Sequence, residues 1–278
     1  MLIDAHQHYW NPSRGDYGWI PKGNPILDHA YGPEDLAPWL ERSGIGATVL
    51  VQAAPTVAET EYLLDLATRT DSVAAVVGWV DFETPAARAD LERFRAHPKF
   101  RGVRPVIQDI PNVDWMLRED LDWAFRALID LDLTFDALGF PRHLANFHTL
   151  LKRYPDLRAV IDHCMKPQIR DSSHAHFRSW ADGMTRLARD TNACVKLSGI
   201  VTEDHDHWSV ERLRPYVEHV FQVFGPSRIM WGSDWPVCRL RTEYDGWRSA
   251  AEELTKDLSP EARDMVYCGT AARFYRIG

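Results

Sequence analysis

Met1-Leu2-Ile3-Asp4-Ala5-His6-Gln7-His8 opens the chain as a short apolar run that passes directly into two histidines one residue apart. A run this short, apolar and ended by polar residues reads as a strand. Successive strand side chains point to opposite faces, so His6 and His8 share a face. Two imidazoles then converge from one rigid element, which is how a metal ion or a polarised carbonyl oxygen is gripped. Twelve histidines in 278 residues would give about 0.5 such pairs by chance. The chain has three, but His174/His176 and His205/His207 sit in polar, loop-like stretches, and only the first pair ends an apolar strand.

Outward from this strand, a polar and aromatic stretch runs from residue 9 to 32 and contains Arg14-Gly15-Asp16-Tyr17-Gly18-Trp19. Loops this long inside a compact domain are commonly binding elements. Tyr17 and Trp19 would offer apolar faces to a sugar ring, unless they only pin the loop to the surface. A regular alternation then begins at Pro33-Glu34-Asp35, a helix start with proline and acids in its first turn, closed by Gly44 and Gly46. Strands are expected over 48–53, 74–80, 101–106, 133–138, 158–164, 194–199 and 228–234, nearly all separated by helices, and Thr56 to Glu59 reads as a capping box. Two further helices, over 243–256 and 259–275, close the chain. Eight strands alternating with helices predict an α/β fold, a (β/α)8 TIM barrel forming one domain over residues 1–278. The rival, a doubly wound open sheet, is disfavoured by the lack of a G-x-G-x-x-G after the first strand.

Composition agrees with a globular protein, 45% apolar and 26% charged, with a net charge of −8. That charge, without any basic stripe, disfavours a nucleic-acid partner. No apolar run approaches the ~20 residues that cross a bilayer, and the core begins at residue 2, so a cytoplasmic protein without a membrane partner is expected. Cys164, Cys194, Cys238 and Cys268 show no C-x-x-C spacing and are expected to be free thiols.

Barrel enzymes place their chemistry at the C-terminal ends of the strands. Those positions hold His6 and His8, Gln52, Arg104, His163, Lys196 and Ser198, and Asp234. Three histidines and an aspartate at matching depth make a candidate site for one divalent ion such as Zn²⁺. Asp162, next to His163, should face away from the barrel axis. Arg104 and Lys196 would hold substrate or form salt bridges, for instance with Asp136, which strand parity also points inward.

The N-terminal H-x-H, I-D-H-C-M-K-P (161–167), V-K-L-S-G (195–199) and W-G-S-D-W-P (231–236) together resemble the amidohydrolase superfamily, and within it the branch of sugar lactonases. R-G-D-Y-G-W (14–19) is most similar to the L-fuconolactonase group. The resemblance implies a distorted (β/α)8 barrel hydrolysing an ester within a ring, with His6, His8, His163 and Asp234 at the metal positions. It departs from the binuclear members of the superfamily, since strand seven offers Lys196 and no histidine. The expected substrate is a small sugar lactone of the L-fucono-, L-galactono- or L-rhamnono- type. A metal held by the histidines, or those imidazoles directly, would polarise the carbonyl; Asp234 would be the general base. Gln52, Arg104, Lys196, Tyr17, Trp19 and Trp235 complete the expected substrate contacts. Two alternatives stay open: a metal-dependent decarboxylase with a similar ligand set, told apart by carbon dioxide release, and a non-catalytic sugar-binding barrel, told apart by lack of turnover.

Overall fold

The computed structural model describes residues 1–171 and 173–278. Eight parallel strands pair in sequence order: β1 (Leu2–Gln7), β2 (Ile45–Val51), β3 (Val73–Gly78), β4 (Phe100–Val103), β5 (Thr134–Ala137), β6 (Ala159–Ile161), β7 (Cys194–Leu197) and β8 (Ile229–Trp231). Helices α1 (Pro33–Ser43), α2 (Val57–Thr68), α3 (Arg88–Arg95), α4 (Asp122–Asp130), α5 (Leu144–Arg153), α6 (His174–Asp190) and α7 (Val210–Phe224) connect them, and α8 (Tyr244–Leu254) follows β8. The expected TIM barrel is therefore the observed fold. Its strands are apolar because helices cover one face and the barrel interior covers the other. Leu50, Val76, Phe135 and Ile229 pack outward with the helices, while Ile3, Val49, Val77, Val160 and Met230 fill the interior, closed from below by Phe274 and Tyr275 near the C-terminus.

Closure between β8 and β1 occurs at the level of the histidines: the Asp234 N–H donates to His6 O (2.8 Å) and the His8 N–H to Trp235 O (2.7 Å). The two chains approach so closely that a Cβ on Gly232 would lie 2.7 Å from His6 Cβ, so only glycine fits there. Asp4 fastens the seam, its Oδ1 accepting from the backbone N–H groups of Ser233 (2.8 Å) and His6 (3.1 Å) and its Oδ2 from the Tyr244 hydroxyl (3.1 Å).

Element boundaries differ from the sequence reading in instructive ways. β2 starts at Ile45 because Gly44 alone, at φ 64°, ends α1 and Gly46 is already in the strand. Only half of the capping box forms: Thr56 Oγ1 accepts from the Glu59 N–H (3.0 Å), whereas the Glu59 carboxylate turns to the Ala53 and Ala54 N–H groups (2.9 Å each) and braces the β2–α2 loop. β6 ends at Ile161 instead of 164, in a turn that shapes the site. The helix expected over 259–275 is interrupted by a π-helical turn, Met265–Gly269, between α9 (Pro260–Asp264) and α10 (Thr270–Tyr275). No helix among the described residues is long and apolar enough to cross a membrane, and all four cysteines are free.

Candidate active site

Strict alternation would put Asp4, His6 and His8 on one face, but β1 is irregular. Between Asp4 and Gln7, three steps on β1 face two on β2, a bulge that reverses the parity. Asp4 therefore meets Tyr244 of α8, while His6 and His8 meet inside the barrel mouth, Nε2 to Nε2 at 3.2 Å. A second irregularity acts on β6. Val160 points inward and Ile161 outward, so continued parity makes Asp162 the inward residue. His163 nevertheless reaches the mouth because residues 163 to 166 all adopt positive φ, 52°, 50°, 59° and 47°. Such backbone is strained for residues with a Cβ and concentrates at functional sites. Gly199, at φ 60°, leaves the space: a Cβ there would lie 2.4 Å from His163 Nδ1 and 2.9 Å from Asp234 Oδ2.

Asp234 Oδ1 stands at the centre, 3.4 Å from His8 Nε2, 3.7 Å from His6 Nε2 and 3.9 Å from His163 Nε2. One ligand atom each from His6, His163 and Asp234 lie within 4.8 Å of one another, a three-residue set that could hold one small ion with a position left open, and His8 Nε2 stands beside it, 3.2 Å from His6 Nε2 and 3.4 Å from Asp234 Oδ1. Protonation suits it too. Burial lowers the pKa of each imidazole, His163 to about 4, which keeps all three neutral and able to ligate. Burial would raise the Asp234 carboxyl, but His163, His8 and His6 hold it well below the usual range, so it is ionised. The Val51 carbonyl can only accept, so His8 Nδ1, 2.7 Å away, carries the proton and its Nε2 presents a lone pair to the site. His163 Nδ1 is placed by Ser198 Oγ at 3.0 Å.

The expectation that Asp162 faces away is corrected: it is fully buried beneath the histidines, with Oδ1 3.1 Å from Lys196 Nζ and 3.5 Å from His6 Nδ1, and Oδ2 3.3 Å from Arg104. Lys196 is sealed in the same layer, 2.5 Å from Asp136 and 3.0 Å from His6 Nδ1, and it does not reach the cavity where a substrate would sit. The salt bridge with Asp136 is the outcome for this lysine, because strands five, six and seven bring two inward carboxylates against it. His6 stands between opposing partners. The Lys196 ammonium, 3.0 Å from Nδ1, favours a proton on Nε2, whereas Asp162 Oδ1, 3.5 Å from Nδ1, and the Arg104 guanidinium, 3.3 Å from Nε2, favour a proton on Nδ1 and a free Nε2 lone pair.

Above this layer lies a cavity of about 130 Å³ lined by His8, His163, Asp234, Gln52, Arg104 and Trp19. Arg104 donates to the Gln52 carbonyl, and Gln52 Nε2 donates back to the Arg104 carbonyl (2.6 Å), so the two are held as a pair. Trp19 is 42% exposed and anchored by its N–H to Ala53 O at 2.7 Å. Tyr17 and Trp235, expected at the substrate, are instead buried and outside the cavity lining: Tyr17 lies near Glu59, and Trp235 packs edge-on against Tyr9 and Tyr31. Lys166, which the sequence reading passed over, lines the cavity 5.5 Å from the Phe140 ring centre. Its signal was the I-D-H-C-M-K-P stretch itself, but only the left-handed turn carries a residue three places after His163 to the mouth. The other H-x-H pairs join no ion-holding cluster among the described residues; His176 pairs with Asp171 (3.0 Å) and His205 contacts Arg170 O (3.1 Å).

Comparison with known proteins agrees with this picture. An amidohydrolase family model matches residues 3–277. The chain is 45% identical to an L-fucono-1,5-lactonase of Burkholderia ambifaria, over 99% of this chain and 95% of that protein. It is 34% identical to an L-fucono-1,5-lactonase of Burkholderia multivorans, over 100% and 96% of the two. A crystal structure of an amidohydrolase from Burkholderia multivorans with bound zinc superposes with a TM-score of 0.95 at 32% identity, covering the whole of both chains. With the barrel, the histidine and aspartate cluster and these likenesses in agreement, the chain belongs to the amidohydrolase family.

Proposed function

We propose that this chain hydrolyses a sugar-acid lactone, with L-fucono-1,5-lactone as the favoured substrate, to the open aldonic acid. The observation that carries the reading is one carboxylate oxygen, Asp234 Oδ1, within 3.4–3.9 Å of three imidazoles at the wall of a small cavity. The names of the two Burkholderia relatives support the substrate class. Neither a decarboxylase nor a non-catalytic barrel is favoured.

His6, His8, His163 and Asp234 would hold one divalent ion, for which zinc is the expected metal; when bound it supplies Lewis acidity to the lactone carbonyl. Asp234 takes the proton of the attacking water as oxygen adds to the carbonyl carbon. The C1–ring oxygen bond then breaks, and the same proton passes from Asp234 to the leaving oxygen, so no second acid is needed. Arg104, fixed by Gln52, donates to ring hydroxyls, and Lys166 at the mouth meets the carboxylate that forms. A pH-indicator assay with L-fucono-1,5-lactone, before and after chelation and readdition of Zn²⁺ or Mn²⁺, tests the reading. Asp234→Asn keeps the shape and removes proton acceptance, so kcat should fall about 10²- to 10⁴-fold with substrate affinity much less changed. A folded Asn variant with normal kcat would exclude Asp234 as the base. Wild-type protein inert on the lactone panel would overturn the function.

A further inference from the structure

The catalytic cavity has a larger neighbour. Trp19, Ala53, Val106 and Asp109 line both the 130 Å³ site and a second cavity of about 480 Å³, so the two meet along that wall. Pockets that enclose a drug-sized ligand run roughly 300–1,000 Å³; the catalytic cavity falls below that range and the second within it. Apart from Trp19 on the shared wall, nothing in the lactonase reading uses the second cavity.

Its lining has a definite chemistry. Trp79 and the exposed Trp19 line it with indole rings, the buried, mutually stacked Phe82 and Trp115 close its apolar wall, and every charged side chain in the lining is acidic: Asp16, Asp81, Glu83 and Asp109. Three of these carboxylates are engaged. Asp16 pairs with Arg14 at 2.7 Å, Asp81 caps its own turn through Thr84 Oγ1 (2.8 Å) and the Glu83 N–H (2.9 Å), and Glu83 accepts from the Trp115 indole (3.2 Å). Asp109 has no such side-chain partner among the described residues, and it stands on the shared wall, exposed to both cavities. Indole faces pack against the C–H faces of a pyranose, and a free carboxylate accepts from its hydroxyls. Asp16 is paired with Arg14 and Glu83 with Arg118, so the uncompensated charge of the lining comes from Asp81 and Asp109, and an anionic group is disfavoured beside them.

We propose that the second cavity is a subsite for a neutral glycosyl group carried on a hydroxyl of the lactone, so that the chain accepts glycosylated aldonolactones as well as the free sugar lactone. The proposal rests on the lactonase reading. The reaction is unchanged: water adds across the C1–ring oxygen ester bond, and the glycosidic bond stays intact.

The test compares L-fucono-1,5-lactone with its 2-, 3- and 4-O-β-D-galactosyl derivatives on the wild type, Trp79→Leu and Ile110→Trp. Trp79 and Ile110 line only the second cavity. At least one galactosyl derivative should be hydrolysed with kcat/KM equal to or above that of the parent. Trp79→Leu should raise KM for that derivative roughly 2- to 12-fold, the scale of one aromatic contact, and Ile110→Trp, by filling the subsite, should exclude it. Both variants should turn over the parent normally, which also reports that they are folded; if one misfolds, the other decides. Wild type that hydrolyses the parent but every derivative with a lower kcat/KM than the parent overturns the subsite and leaves the lactonase reading standing. Variants that impair parent and derivative equally overturn it too. Wild type inactive on the parent overturns the lactonase reading and this proposal together.

Discussion

Replacing Lys196 with methionine removes a charge while keeping most of the stem's volume. Lys196, Asp136 and Asp162 are all fully buried, with the ammonium 2.5 Å from one carboxylate and 3.1 Å from the other. Burial already pushes Asp136 up to about 6 with the lysine present. Without it, two inward carboxylates face each other in a site that water does not reach. Breaking a buried pair by removing one partner costs about 3–5 kcal/mol, because the orphaned charge stays desolvated. At roughly 2–4 °C per kcal/mol for a chain of this size, Tm should fall by about 6–20 °C. Urea titration gives the free energy and thermal scanning the Tm. Adding Asp136→Asn should restore part of the loss, since it removes one orphaned charge. Catalysis should suffer through His6, whose Nδ1 lies 3.0 Å from Lys196, so kcat should fall with KM little changed. A variant as stable as wild type, or one whose only defect is a raised KM, would refute the structural role and return Lys196 to the substrate.

Gly199→Ala should cost about 1–3 kcal/mol for its positive φ and should displace His163, so urea stability and kcat should both drop; normal turnover would show that His163 tolerates the shift. Trp19→Ala should raise KM for the lactone more than it lowers kcat, because a ring that stacks on substrate does so in ground and transition states alike; an unchanged KM would place the substrate elsewhere. Glu59 offers a test in pH. Burial lifts its carboxyl from 4.5 to about 8, against the pull of the Ala54 and Ala53 N–H groups. A folded pKa above the unfolded value means that stability is greatest in acid and declines as pH rises from about 4.5 through about 8, by up to ~1.4 kcal/mol per unit. Urea unfolding of wild type should therefore weaken from pH 5 to pH 8 more steeply than that of Glu59→Gln, and parallel profiles would refute the shift.

The sequence by itself determined the order of elements and the positions of most site residues. Apolar runs bounded by helix starts and stops are local signals, and eight of them in strict alternation leave few ways to bury both faces of a parallel sheet. Barrel geometry then put His6, His8, Gln52, Arg104, His163 and Asp234 at one end, because they stand at or just past the C-terminal ends of their strands. Side-chain direction was legible only where the pleat runs unbroken, as at Asp136. The bulge between Asp4 and Gln7 turns Asp4 out to Tyr244, and the left-handed turn at 163 to 166 brings His163 and Lys166 to the mouth while Asp162 stays inside. Neither device has a glycine to announce it; each exists because contacts far along the chain hold it. The same holds for Lys196, whose salt bridges depend on strands five to seven meeting at one depth, and for Tyr17 and Trp235, which found other packing partners. Tertiary structure decided which polar residues face substrate and which sit beneath it, because that choice follows from backbone twists and neighbours that no local pattern encodes.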